Sequence, residues 1–254
     1  MNPTGSIKFF AGLFAAALAV AAPLPALATT VSPVVIDLQS TGRGVVANIS
    51  VANTGAKSLP IEVSTQALAP TATGLEAVKD STDDLLVVPP TALIPAGQTQ
   101  SFRVQWIGDP VPAASKHFYV GINQLPVKLP EGESAVQVVY NFNVLVSVGA
   151  TNGKPALAIQ SAGIAEHEGK PAPSITVSNS GTTYGYLSQH SLRIVETDSA
   201  GKQLFTRTVS GNDFQQLVGY GLIATGQTRT MVLPIELPSR SGTVTATLID
   251  GRGQ

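Results

Sequence analysis

Two short blocks recur in this chain at nearly one spacing. Ile49-Ser50-Val51-Ala52-Asn53-Thr54-Gly55 matches Ile175-Thr176-Val177-Ser178-Asn179-Ser180-Gly181, at an offset of 126 residues. Ile94-Pro95-Ala96-Gly97-Gln98-Thr99 matches Ile223-Ala224-Thr225-Gly226-Gln227-Thr228, at an offset of 129. Either match alone is what any two strand-and-turn stretches share; together they favour two copies of one kind of domain. Both copies are built from short period-two runs bounded by turn residues, such as Val45–Ala52 before Asn53-Thr54-Gly55. No convincing amphipathic helix is visible. The expected fold is therefore all-β: two tandem immunoglobulin-like β-sandwich domains. The composition changes at Gly149–Pro155, which places the domains at 29–150 and 151–254.

One run is longer than a sandwich strand needs to be. Ala135–Val148 (AVQVVYNFNVLVSV) holds fourteen residues without a charge, Pro or Gly. It alternates β-branched and aromatic residues at period two, which makes it a strand about twice the usual length. Val136, Val138, Tyr140 and Phe142 share one face; Val139 shares the other. A strand like this at a sheet edge aggregates unless another chain is meant to pair with it. The expectation is that the Val136 face points to a partner and the Val139 face packs on the chain's own core.

Elsewhere, Thr30–Leu38 reads as one first strand, Pro70–Asp84 as mostly loop, and Trp106 as a packed sandwich residue. Tyr184 and Tyr186 fit either a core or a domain junction.

The first 28 residues read as a secretory leader: Lys8, an apolar Ala-rich run over Phe9–Ala22, and the small-residue signal Ala26-Leu27-Ala28. The run is short for a membrane anchor. Cleavage after Ala28 would leave 226 residues for export. The chain has no Cys, so core burial has to stabilise it without disulfides, and thiol chemistry is excluded. With 12 % charged residues and a net charge of −1, the chain is neither disordered nor suited to nucleic acid. His117, His167 and His190 lack ligand spacing, Asp83-Asp84 reads as a solvated loop, and no phosphate-binding, nucleophile-elbow or zinc motif occurs. The expectation is no enzyme, no catalytic residues, no metal, no cofactor and no small-molecule substrate.

Pro89–Val104 (PPTALIPAGQTQSFRV), Ser115–Pro126 (SKHFYVGINQLP), Ala135–Val148 and Ile175–Gly181 follow one another in an order that resembles the periplasmic pilus chaperones, the PapD-like family. The resemblance spans nearly the whole exported chain. It implies a chaperone that lends its long strand to pilus or fimbrial subunits lacking their last strand, and delivers them to an outer-membrane usher. Val136, Val138 and Tyr140 fall where the family has its donor residues, and Phe142 continues that face. One feature departs. The family anchors the subunit's C-terminal carboxylate with an Arg on the first strand and a Lys late in the donor strand. Here those positions fall at Val34 or Val35 and at Leu145. The nearest basic candidates are Arg103 and Lys116, which marks a divergent branch. The alternative class is a structural two-domain pilus or surface subunit, but no N-terminal donor extension or incomplete last strand is evident. A hydrolase on a β-sandwich is disfavoured by the lack of any catalytic constellation.

Overall fold

The computed structural model describes residues 29–79, 83–126 and 139–250. The leader, Val136 and Val138 lie outside them. In the first domain the strands are β1 (Thr30–Ser32), β2 (Val35–Gln39), β3 (Val46–Ala52), β4 (Leu59–Pro70), β5 (Leu75–Ala77), β6 (Leu85–Val88), β7 (Thr91–Ile94), β8 (Thr99–Trp106), β9 (Lys116–Gln124) and β10 (Asn141–Gly149). They form two sheets, ordered β1-β3-β8-β6 and β2-β10-β9-β4-β5, with β7 on β4. Period two sorts the side chains: on β8, Phe102, Val104 and Trp106 are buried while Ser101 and Arg103 face solvent. The inward residues meet Ile49, Val51, Phe118, Val120, Ile122, Val144 and Val146 in one core between the sheets.

One detail differs from the sequence reading. Thr30–Leu38 is two strands, β1 and β2, in different sheets. Pro33, which has no N–H to continue a ladder, sits where the chain changes sheets. Within Pro70–Asp84, read as mostly loop, Leu75–Ala77 forms a short strand that pairs back onto β4.

The second domain contains β11 (Leu157–His167), β12 (Lys170–Asn179), β13 (Gly185–Tyr186), β14 (His190–Thr197), β15 (Gln203–Val209), α1 (Gly211–Val218), β16 (Leu222–Ile223), β17 (Thr228–Val232) and β18 (Thr243–Asp250). Its sheets are β11-β12-β17, β13-β16 and β15-β14-β18, around a core that includes Ile175, Val177, Ile194 and Leu233. The all-β two-sandwich architecture is the one the repeat implies, apart from α1. That helix is capped by Ser210, whose Oγ accepts the Asp213 N–H at 3.1 Å, and Phe214 is its buried residue. Two turns with one buried side chain are too short for a helical period to stand out in the sequence.

The repeated blocks have the same physical job in both domains. Asn53 donates through Nδ2 to the carbonyls of Lys57 (2.8 Å) and Ile94 (2.9 Å), and its Oδ1 accepts from Gly55 N–H. Asn179 donates to Thr183 (2.8 Å) and Ile223 (3.0 Å), and accepts from Gly181. Each Asn carbonyl then accepts from the turn glycine of the second block, Gly97 or Gly226. Both glycines have positive φ, 72° and 73°, a backbone conformation that a side chain would strain. A buried Asn thus ties two turns together across each sandwich, and this accounts for both blocks recurring together.

Candidate functional site: an open strand edge beside an interdomain cleft

Strand β10 pairs with β9 from Asn141 to Val148, but with β2 only from Leu145 to Gly149. Among the described residues, Asn141–Val144 have no strand on the β2 side. The main-chain direction follows from two hydrogen bonds. Leu145 N–H donates to Val34 O, and Tyr140 O accepts from Gln124 N–H, both at 3.0 Å. Odd residues therefore turn their N–H and C=O to the β2 side and even residues to β9. At Asn141 and Asn143 the odd groups face the open edge.

The side chains change environment along the same strand. Val144, Val146 and Val148 are fully buried in the first core. Phe142 is half-buried against that core. Tyr140 is 47 % exposed and stacks on Phe142, with ring centroids 6.3 Å apart. The even face thus leaves the domain's core at Tyr140. This corrects the expected sidedness: the face of Val139 does not pack on the first domain's core, since Val139 is 40 % exposed, Asn141 and Asn143 are exposed, and Leu145 further along packs with the second domain. Period two separates the two faces but does not say which one a distant sheet will cover.

The outer face of the β2-β10-β9-β4 sheet looks onto the second domain and forms a cleft with it. Register aligns Val35, Leu145, Tyr119 and Gln66 in one row, and Asp37, Ser147, His117 and Leu68 in the next. Val35 and Leu145 pack with Tyr184, Tyr186, Tyr220 and Leu222 of the second domain. Asp37 Oδ1 accepts the hydroxyls of Tyr184 (2.7 Å) and Tyr186 (2.6 Å). Burial, together with the Asp37 charge and hydrogen bond, pushes both tyrosine pKa values far up, so the hydroxyls remain donors. Further contacts tie the domains together. Thr225 N–H donates to Ser115 Oγ at 3.1 Å, and Gln227 Nε2 donates to the Thr71 and Gly74 carbonyls, both at 2.8 Å. Arg229 Nε donates to Thr73 O at 2.9 Å.

His117 is buried between Ser147 Oγ, 2.9 Å from its Nδ1, and Ser115 Oγ, 3.0 Å from its Nε2. Burial lowers its pKa to about 4, so the ring is neutral near pH 7.

The two basic candidates are not brought together. Arg103 pairs with Asn48 and Val88 on the outer face of the other sheet, across the core from the cleft. Lys116 opens β9 opposite Val148, exposed, on the face opposite to Tyr119 and His117. Asp37 and the Tyr184–Tyr186 pair are what sequence reasoning did not assign. Asp37 is the one charged residue in VVIDL, and its even spacing from Val35 was the available signal.

No protein-family model matches this sequence, and comparison with curated proteins finds no match. Solved structures do match in fold. The class 5 fimbriae chaperone CfaA is similar at TM-score 0.51 and 14 % identity, over 87 % of this chain and 99 % of that one. A chain of the CsuC–CsuE chaperone–tip adhesion subunit pre-assembly complex of Acinetobacter baumannii is similar at 0.51 and 11 %, over 86 % and 97 %. A chain of the Salmonella enterica SafA pilin complex with the SafB chaperone is similar at 0.50 and 16 %, over 87 % and 89 %. The chain therefore has the two-domain fold of the PapD-like fimbrial chaperones, at low sequence identity.

Proposed function

We propose that this chain is a periplasmic, non-enzymatic chaperone that holds pilus or fimbrial subunits by donor-strand complementation and passes them to an outer-membrane usher. The observation that supports this most directly is the open edge at Asn141–Val144, beside a side-chain face that leaves the core at Tyr140. A partner strand laid on that edge pairs with main-chain groups that otherwise need water. On the period-two reading, Val138 and Val136 continue the Tyr140 face beyond the first core, so a subunit lacking its last strand closes its own core on them. Phe142 stands at the boundary between the two cores. Burying each such side chain contributes roughly 1.5–3 kcal/mol, enough for three or four to hold a subunit after the cost of association. The fold likeness to CfaA and to the Csu and Saf complexes is consistent with this reading.

The test is periplasmic co-expression with a pilus subunit from the same source. A soluble one-to-one complex, lost on Tyr140→Asp in folded protein, is expected. Recovery of the chain in sheared surface fibres would instead make it a structural subunit.

A further inference from the structure

We propose that His117 is a proton-sensitive latch between the two domains: the contact of Ser115 with Thr225 that helps close their junction is complete only while the imidazole is neutral and carries its proton on Nδ1. The hydrogen bonds around the ring carry this. Ser115 N–H donates to Thr225 Oγ1 at 3.3 Å. In return Thr225 donates twice to Ser115 Oγ, through its N–H at 3.1 Å and its hydroxyl at 3.0 Å. A serine hydroxyl has two acceptor sites and one proton. Thr225 fills both sites, so the Ser115 proton is left for His117 Nε2, 3.0 Å away. Nε2 is then the acceptor nitrogen. The ring proton sits on Nδ1, which donates to Ser147 Oγ at 2.9 Å.

A second proton on the ring goes to Nε2 and turns that acceptor into a donor. Ser115 Oγ has no site left to receive it. Either the imidazolium keeps a buried N–H without a partner, or Thr225 withdraws one of its two bonds. Charging His117 and docking Thr225 therefore oppose each other, and by linkage each weakens the other by the same factor. Position adds leverage. Ser147 stands just before Gly149, where β10 ends and the chain leaves for the second domain. Thr225 lies on the turn whose Gln227 also bonds the first domain.

The groups around the ring do not compensate a charge on it. On the sheet face that His117 shares, the nearest carboxylate is Asp37, in the same row but two strand spacings away, roughly 10 Å. Its Oδ1 is taken by the hydroxyls of Tyr184 and Tyr186, which stay protonated. Tyr184 packs its ring on the imidazole in a T-shape, centroids 5.5 Å apart. Lys116 is on the opposite face of β9, and Glu62 is three rows along the sheet. Glu76, opposite Ala69, alternates to the other face from Leu68, and Arg229 is bound to the Thr73 and Leu222 carbonyls. Burial thus sets the ring's pKa at about 4, below its ordinary 6.5. The latch is complete above the higher value and loosens as pH falls toward the lower one.

The test is an NMR titration of the chain as recovered after export, with its imidazole nitrogens labelled, from about pH 7 to about pH 4. At the upper end the His117 ring is expected to be neutral with its proton on Nδ1, a reading that needs neither a variant nor acid. On acidification the Thr225 amide shift, in the other domain, should follow the His117 ring with the same midpoint. Thr225→Val removes the hydroxyl, keeps the volume and frees one acceptor site on Ser115. His117 should then bind its second proton about ten-fold more tightly, as for one hydrogen bond. Thr225→Ser keeps the hydroxyl and should titrate as wild type. Wetting alone would instead raise proton affinity at least as much in Thr225→Ser, which loses a methyl group. A proton on Nε2, a Thr225 amide that stays still while the ring titrates, an unchanged titration in Thr225→Val, or an equal rise in Thr225→Ser would each overturn the inference.

Discussion

Acidification should weaken this protein through His117. The ring is 1 % exposed, and burial holds its pKa at about 4 against an unfolded value of 6.5. Between those two values the unfolded chain binds a proton that the folded chain refuses. Stability is therefore complete above pH 6.5 and falls as the pH drops toward 4. Integrating the two titrations gives a loss of about 2 kcal/mol at pH 5 and about 3 kcal/mol at pH 4 from this one residue. Carboxylates titrate in the same range, so the contribution is isolated by His117→Gln, which stays neutral and keeps polar atoms between Ser115 and Ser147. Urea unfolding at pH 7 and pH 5 measures both proteins. The variant starts less stable, but its loss between the two pH values should be about 2 kcal/mol smaller than the wild-type loss. Equal losses would mean that the imidazole charges without penalty, and that its environment is wetter than its burial implies.

Other perturbations separate the roles of neighbouring residues. Val144→Asp places a charge in the first core and should unfold that domain, whereas Tyr140→Asp should shift the unfolding midpoint little and abolish subunit capture; circular dichroism with co-purification distinguishes them. Asn53→Ala and Asn179→Ala each remove the donors to two carbonyls, one of them buried, and should each cost roughly 2 kcal/mol by urea unfolding. Glu196 is buried, which raises its carboxyl pKa, while the Ser239 main chain pulls weakly the other way. The folded state then holds a proton that the unfolded chain releases, so its contribution is lost as pH rises above 4.5. Glu196→Gln should melt higher than wild type at pH 7.5, with the advantage shrinking toward pH 4, as thermal unfolding at about those two pH values would show.

Much of the architecture was legible because it is written in local periods. The blocks at Asn53 and Asn179 repeat since each sandwich needs one buried amide to tie two turns together, and that need is met by residues near in sequence. Alternation along β8 separated Phe102, Val104 and Trp106 from Arg103 without knowledge of the partner strands. That Val34, Val35 and Leu145 are not basic was also visible as residue type.

Alternation by itself, however, leaves open which face of β10 the domain covers. That is decided by β3 and β8, which carry Ile49, Val51, Phe102 and Val104 from far along the chain to meet Val144 and Val146. Among the described residues, the open edge at Asn141–Val144 is likewise a fact of pairing, since the ladder with β2 begins at Val35. Arg103 and Lys116 were plausible neighbours in sequence order, yet the sandwich puts one across the core from the cleft and the other on the face of β9 opposite to Tyr119 and His117. Asp37 acquired its meaning only when the second domain brought two tyrosine hydroxyls to it from far along the chain. Short-range periods determine strands and turns because neighbouring residues share one backbone. Which strand edge is left without a partner among the described residues, and which side chains meet across the cleft, are long-range properties that only the closed fold can settle.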